Sequence, residues 1–175
     1  MNIRIKIFLF CALSILFIGC DQVTKQIVKE KLVEGVSTSY LHDTFRLVYV
    51  QNTGAMLNFG DSLPPKLSFW LLSIFPLVLL AALFIYSLRN AATMKPFQLL
   101  CFCLIFAGGI GNIIDRILFD RHVTDFLNVG LGNVRTGIFN VADLCVTCGV
   151  IGILIKRFSI PKKGGEHSSN LTGNI

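Results

Sequence analysis

Charge is scarce in this sequence. Lys, Arg, Asp and Glu make up only 15% of its 175 residues, 53% are hydrophobic, and the mean hydropathy is +0.68. A soluble domain of this length needs far more polar surface to cover its core, so that class is excluded and a one-domain integral membrane protein remains. Histidine is scarcer still: the chain has three, and none lies near Cys145-x-x-Cys148. That pair therefore lacks the partners of a metal set, and the cysteines read as small apolar filler, five of the six sitting inside apolar runs. No internal repeat is visible.

What the chain has in quantity is long apolar stretches. About 20 such residues cross a bilayer as a helix, because backbone polar groups in hydrocarbon must be satisfied within the segment. Four stretches qualify, at about 5–28, 67–88, 96–118 and 138–158, and Pro76 is expected to kink the second. Four spans put both termini on one side. That side, with the Arg89–Lys95 link, carries eight basic residues and one acid, a net +7, while the other carries eight basic residues and nine acids, a net −1. The positive side faces the cytoplasm. Residues 1–160 are expected to form the single domain, and the polar 161–175 a disordered tail.

The segment between the first two spans is more than a loop. Thr44–Gln51 is rich in β-branched and aromatic residues, Asn52-Thr53-Gly54 breaks it, and Met56–Phe59 is a candidate second strand. The fold class is therefore an all-α membrane protein with four transmembrane helices, a small extracytoplasmic β-sheet between helices 1 and 2, and both termini cytoplasmic.

Polar residues inside or at the edge of a span are costly, so each is a candidate functional group. They gather at the outer ends of spans 3 and 4, in Gly108-Gly109-Ile110-Gly111-Asn112-Ile113-Ile114-Asp115-Arg116, Val123-Thr124-Asp125-Phe126 and Phe139-Asn140-Val141-Ala142-Asp143. The glycines leave a bare helix face for close approach. If spans 3 and 4 are neighbours, Asp125, in the loop before span 4, and Asp143, one turn into it, can face each other. Two carboxylates in a poorly hydrated place share a proton, which is the working state of an aspartic protease. Plainer readings stand beside this one. Asn140 and Asp143 can be the N-cap and N3 of a helix. Asp115 and Arg116 can be a structural ion pair. Asp21 and Lys25, four apart, can be an ordinary surface pair or an anchor at the membrane edge.

Taken together, these segments resemble the lipoprotein signal peptidase family (signal peptidase II) over nearly the whole of Ile5–Phe158. The likeness rests on Asp21 with Lys25, Asn52-Thr53-Gly54-Ala55, Gly108-Gly109 with Gly111-Asn112, Asp115-Arg116, Val123-x-Asp125-Phe126 and Phe139-Asn140-x-Ala142-Asp143, in that order. After Ala55 the chain reads Met56-Leu57-Asn58-Phe59-Gly60, where the family usually places small residues and a Phe. The resemblance implies that Asp125 and Asp143 are the catalytic pair and that Asn52, Gly54, Asn112, Arg116 and Asn140 line or shape the site. It implies that Asp21, Lys25 and Asp115 support them. It implies an aspartic endopeptidase of the bacterial inner membrane, with no cofactor and no metal. Its partners would be membrane lipid and lipidated prolipoproteins, cut just before the diacylglyceryl-modified Cys at the outer face. No nucleic-acid partner and a monomeric state go with this reading.

Two other classes fit the bare pattern. A small channel or transporter would use the same intramembrane acids, but all of them cluster at one face. A scaffold would use Asp143 only as a cap. The N-terminus poses a separate question, since Phe17-Ile18-Gly19-Cys20, after a basic start at Arg4 and Lys6, has the look of a lipoprotein signal peptide. Val23, Ile27 and Val28 continue its apolar stripe, three spans follow, and Phe17 stands where such signals usually carry Leu. The segment thus reads as a permanent span. An intact mass that retains Met1–Gly19 is the expected outcome, and a mature chain starting at a lipidated Cys20 would contradict it.

Overall fold

A computed structural model describes residues 1–54 and 63–158. The strand expected at Met56–Phe59 and the tail at 161–175 lie outside the described residues. The described residues form four helical rods. Helix α1 runs Ile3–Lys31, with Asn2 as its N-cap accepting from the Arg4 N–H at 3.0 Å. Helix α2 covers Lys66–Arg89, α3 Pro96–Leu118 and α4 Val141–Phe158. Among the described residues, three of them (α1, α2 and α3) are long and apolar enough to cross a membrane. The fourth is shorter and carries Asp143, Lys156 and Arg157 at its two ends.

Pro76 was expected to kink the second helix. The irregularity takes the form of a π-wound stretch, Trp70–Ile74, just before the proline, where the Phe75 N–H reaches back five residues to the Trp70 carbonyl. At the α2–α3 link, Lys6 of α1 donates from Nζ to the Ala92 and Met94 carbonyls at 2.9 and 2.7 Å. These carbonyls belong to a tight turn, and a buried cation satisfies them. Phe10, Met94, Leu99 and Cys103 pack into the apolar core beside it.

The connections at the other end build one antiparallel sheet, in the order β1 (Ser37–Tyr40), β2 (Phe45–Asn52), β3 (Val123–Leu131) and β4 (Val134–Arg135). This corrects two expectations. The sheet is not confined to the connection between helices 1 and 2, because two of its four described strands come from the connection between α3 and α4. And Asp125 lies on a strand, not in a loop. Local propensity marks a segment as strand-like, but it does not reveal a partner far away in the chain.

The β2–β3 register places Val50 opposite Asp125 and Asn52 opposite Val123, with an irregularity between Leu47 and Val50. The sheet docks on the C-terminal end of α1, where Val28 packs with Tyr49 and Phe126. It is also clipped to the lead-in of α4, since the Phe126 and Leu127 N–H groups both donate to the Phe139 carbonyl at 3.1 and 2.8 Å.

Helices α3 and α4 cross closely because glycine allows it. A Cβ on Gly108 would sit 2.2 Å from the Ala142 carbonyl oxygen, and one on Gly111 would sit 2.6 Å from Asp21 Oδ2. Gly108→Ala is therefore expected to lower stability in detergent by about 1–3 kcal/mol through overpacking. Gly19→Ala, where nothing lies within 4 Å, is the control and should leave the melting temperature unchanged or slightly higher.

Candidate active site

The site grows from a buried ammonium. Lys25, on the inner face of α1, is 1% exposed. Its Nζ contacts Asp21 Oδ2 at 2.8 Å and Asp115 Oδ2 at 3.1 Å, and donates to Asn112 Oδ1 at 3.0 Å. All three donors of the ammonium are thus used. Asp21 and Asp115 are equally buried, at 1% and 0%. The pairing of Asp21 with Lys25 is consequently a core feature and not a surface one. Asp115 pairs with Lys25, not with its chain neighbour Arg116, because α3 turns Asp115 toward α1 while Arg116 reaches to the Gly54 carbonyl at 2.9 Å.

Each acid of this trio also holds a strand or helix in place. Asp21 Oδ1 accepts the Ala142 N–H at 2.9 Å, in the first turn of α4. Asp115 Oδ2 accepts the Thr124 N–H at 3.1 Å, on β3. Gln22, which did not stand out in sequence, donates from Nε2 to Asp115 Oδ1 at 3.0 Å and to the Gly111 carbonyl at 3.1 Å. Its signal would have been a second polar side chain beside Asp21 in an otherwise apolar stretch.

Above the trio sit the two carboxylates that the sequence marked. Asp143 accepts from Asn112 Nδ2 at 2.8 Å on one oxygen and from the Asn140 N–H at 3.1 Å on the other. Asn140 Oδ1 in turn accepts the Asp143 N–H at 2.9 Å. Asn140 and Asp143 thus form the reciprocal cap of α4, and the carboxylate sits at the positive end of the helix. Asp125, 3% exposed, accepts from Asn140 Nδ2 at 2.7 Å and Asn52 Nδ2 at 2.9 Å. Asn52 Oδ1 accepts the Gly54 N–H at 2.9 Å, in the turn that ends β2.

The orientation of each amide is fixed by a group that can only donate. Lys25 forces the oxygen of Asn112 toward α1. The Asp143 N–H does the same for Asn140, and the Gly54 N–H for Asn52. In every case the NH₂ is left to face a carboxylate.

A cavity of ≈ 420 Å³ opens over this arrangement. Asn52, Asn112, Arg116, Asp125 and Asp143 supply its polar wall, and Val123, Ile138, Phe139 and Leu144 its apolar one. Thr136 and Thr147 also line it. Neither stood out in sequence, Thr147 being one small hydroxyl in an apolar run. Burial is the main reason the Asp125 carboxyl is pushed up to about 6, with the nearby Asp143 charge adding to it, while the Asn52 and Asn140 bonds and Lys25 act in the opposite sense. Asp125 therefore keeps its proton under conditions where an exposed carboxyl has lost it. Among the described residues no three His, Cys, Asp or Glu side chains converge as a metal set.

Known proteins are similar to this chain in sequence and in shape. A family model described as signal peptidase (SPase) II matches residues 13–159. A lipoprotein signal peptidase of Maridesulfovibrio salexigens is 36% identical over 87% of this chain and 97% of its own length. One from Desulforapulum autotrophicum is 38% identical over 86% of this chain and 91% of its own. A solved bacterial membrane enzyme superposes with a TM-score of 0.73 at 31% identity, covering 88% of this chain and 92% of the other.

Removing the ammonium alone should be severe. Lys25→Met leaves Asp21 and Asp115 buried without a counter-charge, and a loss of about 3–5 kcal/mol is expected in detergent unfolding. Adding Asp21→Asn and Asp115→Asn to it should recover much of that loss, because no unpaired charge remains.

Proposed function

The chain belongs to the signal peptidase II family, and from that premise we propose that it removes signal peptides from diacylglyceryl-modified prolipoproteins by a metal-free aspartic mechanism. The observation that carries the mechanism is the placement of Asp125 and Asp143 on one cavity wall, each held by two amide donors. The chain is a membrane protease with several apolar helices. In the proposed arrangement all four helices span the inner membrane, both termini face the cytoplasm, and the sheet and cavity lie at the outer face. The net +7 and −1 of the two sides support this orientation.

The chemistry follows from the asymmetry of the pair. Asp143 lies in the first turn of a helix, where the dipole favours an anion, and serves as the base. Asp125 lies on a strand, carries the proton and serves as the acid. Asp143 takes a proton from water as the water oxygen attacks the scissile carbonyl. Asp125 gives its proton to the carbonyl oxygen, forming a tetrahedral diol. When the diol collapses, the C–N bond breaks and the amine of the lipidated Cys leaves with a proton from Asp143. A proton from the diol returns to Asp125, and the pair is restored. Arg116, anchored on Gly54, presents positive charge beside the developing oxyanion. The apolar wall suits a substrate that arrives within the bilayer, its lipid still in the membrane.

A gel-shift cleavage assay tests this, with a diacylglyceryl-modified prolipoprotein run beside its unlipidated twin. Wild type should cut only the lipidated form and be insensitive to chelator. Asp125→Asn and Asp143→Asn should each lose about 10²–10⁴-fold in rate while still inserting in the membrane. Activity retained by either variant would remove the dyad. The pH profile offers a second check. The acid must be protonated to act, so kcat/KM should fall as pH rises through about 6. Bound lipid displaces water from around the pair, so the same limb in kcat should lie at higher pH.

A further inference from the structure

We infer that Lys25 is a positioning residue for the reaction, acting through Asn112 to keep Asp143 in the state that accepts a proton from water. Lys25 does not line the cavity. It lies one hydrogen bond behind it, with Nζ 3.0 Å from Asn112 Oδ1, and Asn112 Nδ2 is 2.8 Å from Asp143 Oδ1. A neutral amide has two ends, and either could face a carboxylate. With its oxygen turned to Asp143, Asn112 would repel the anion; with its NH₂ turned there, it stabilises it. An ammonium has no lone pair, so its presence behind Asn112 permits only the second orientation. Asn140 Nδ2, 3.1 Å from the same Asn112 oxygen, reinforces this choice but also serves Asp125. The charged groups around Asn112 and Asp143 are Asp21 and Lys25 of α1, Asp115 and Arg116 of α3, and Asp125 of β3.

The role is distinct from the stability that Lys25 gives the three-helix junction, and the two can be separated. The triple variant Lys25→Met, Asp21→Asn, Asp115→Asn leaves no buried charge unpaired. In the folded triple, kcat for the lipidated prolipoprotein should fall about 10–100-fold, the scale of one hydrogen bond to a charged group. KM should stay within about twofold, since no cavity-lining side chain has changed.

Asn112→Ala completes the test. If Lys25 acts through Asn112, then in the Asn112→Ala background the triple change costs nothing further. Losses that multiply instead, or a folded triple with wild-type kcat, would overturn the inference. Should the triple not fold, Asn112→Ala alone, which leaves Lys25 paired with both acids, should lower kcat about 10–100-fold, and a wild-type kcat would overturn the inference. The inference rests on the proposed dyad. Wild type that fails to cut the lipidated substrate would overturn that reading, whereas active wild type with additive losses overturns only the role of Lys25.

Discussion

An ammonium ion buried among apolar helices must have every one of its protons accepted, or the helices cannot come together around it. Lys25 meets that demand with one acid from its own helix and an acid and an amide from α3. The demand then propagates. The two acids each accept a backbone N–H group as well, one at the start of α4 and one on β3. The junction of three helices and the attachment of the sheet are therefore consequences of one charge. Gly111 makes room for it, since any side chain there would strike Asp21.

Polarity flows outward from this point in one direction. Ammonium, amide and carboxylate follow each other from α1 through Asn112 to Asp143. A second line runs from the backbone of α4 through Asn140 to Asp125. Neither line contains a group that can reverse without leaving a buried donor facing a donor. A site built this way has little reorganisation to do when charge moves during a reaction, which is the condition under which fixed dipoles contribute most.

Much of this was legible in the sequence, and the reasons differ by residue. Asp125, Asp143, Asn112 and Asn140 stood out because polar groups are conspicuous against apolar runs, and Asn140 with Asp143 carried the spacing of a helix cap. The helices were legible through their length in apolar residues. The pairing of β2 with β3 was not, because strand propensity is local and a ladder partner is not. The partner of Asp115 was missed for a related reason. Adjacency to Arg116 suggested an ion pair, but successive residues on a helix point in different directions, and the cation that fits lies on another helix. Burial of Asp21 and Lys25 was hidden too, since a spacing of four looks the same on a surface as in a core.

The two carboxylates reach the cavity on different kinds of element, Asp125 on a strand and Asp143 on the last helix, and the sheet is joined to that helix through Phe139. During synthesis the chain emerges from its N-terminus, so the strand is made before the helix that completes the pair. Until the final helix is threaded beside α3, Asp125 has neither its carboxylate neighbour nor the Asn140 amide. In the proposed reading, a nascent or half-inserted chain is then chemically inert, and a protease that shares its membrane with every other nascent protein acquires its cutting power only once α4 is in place.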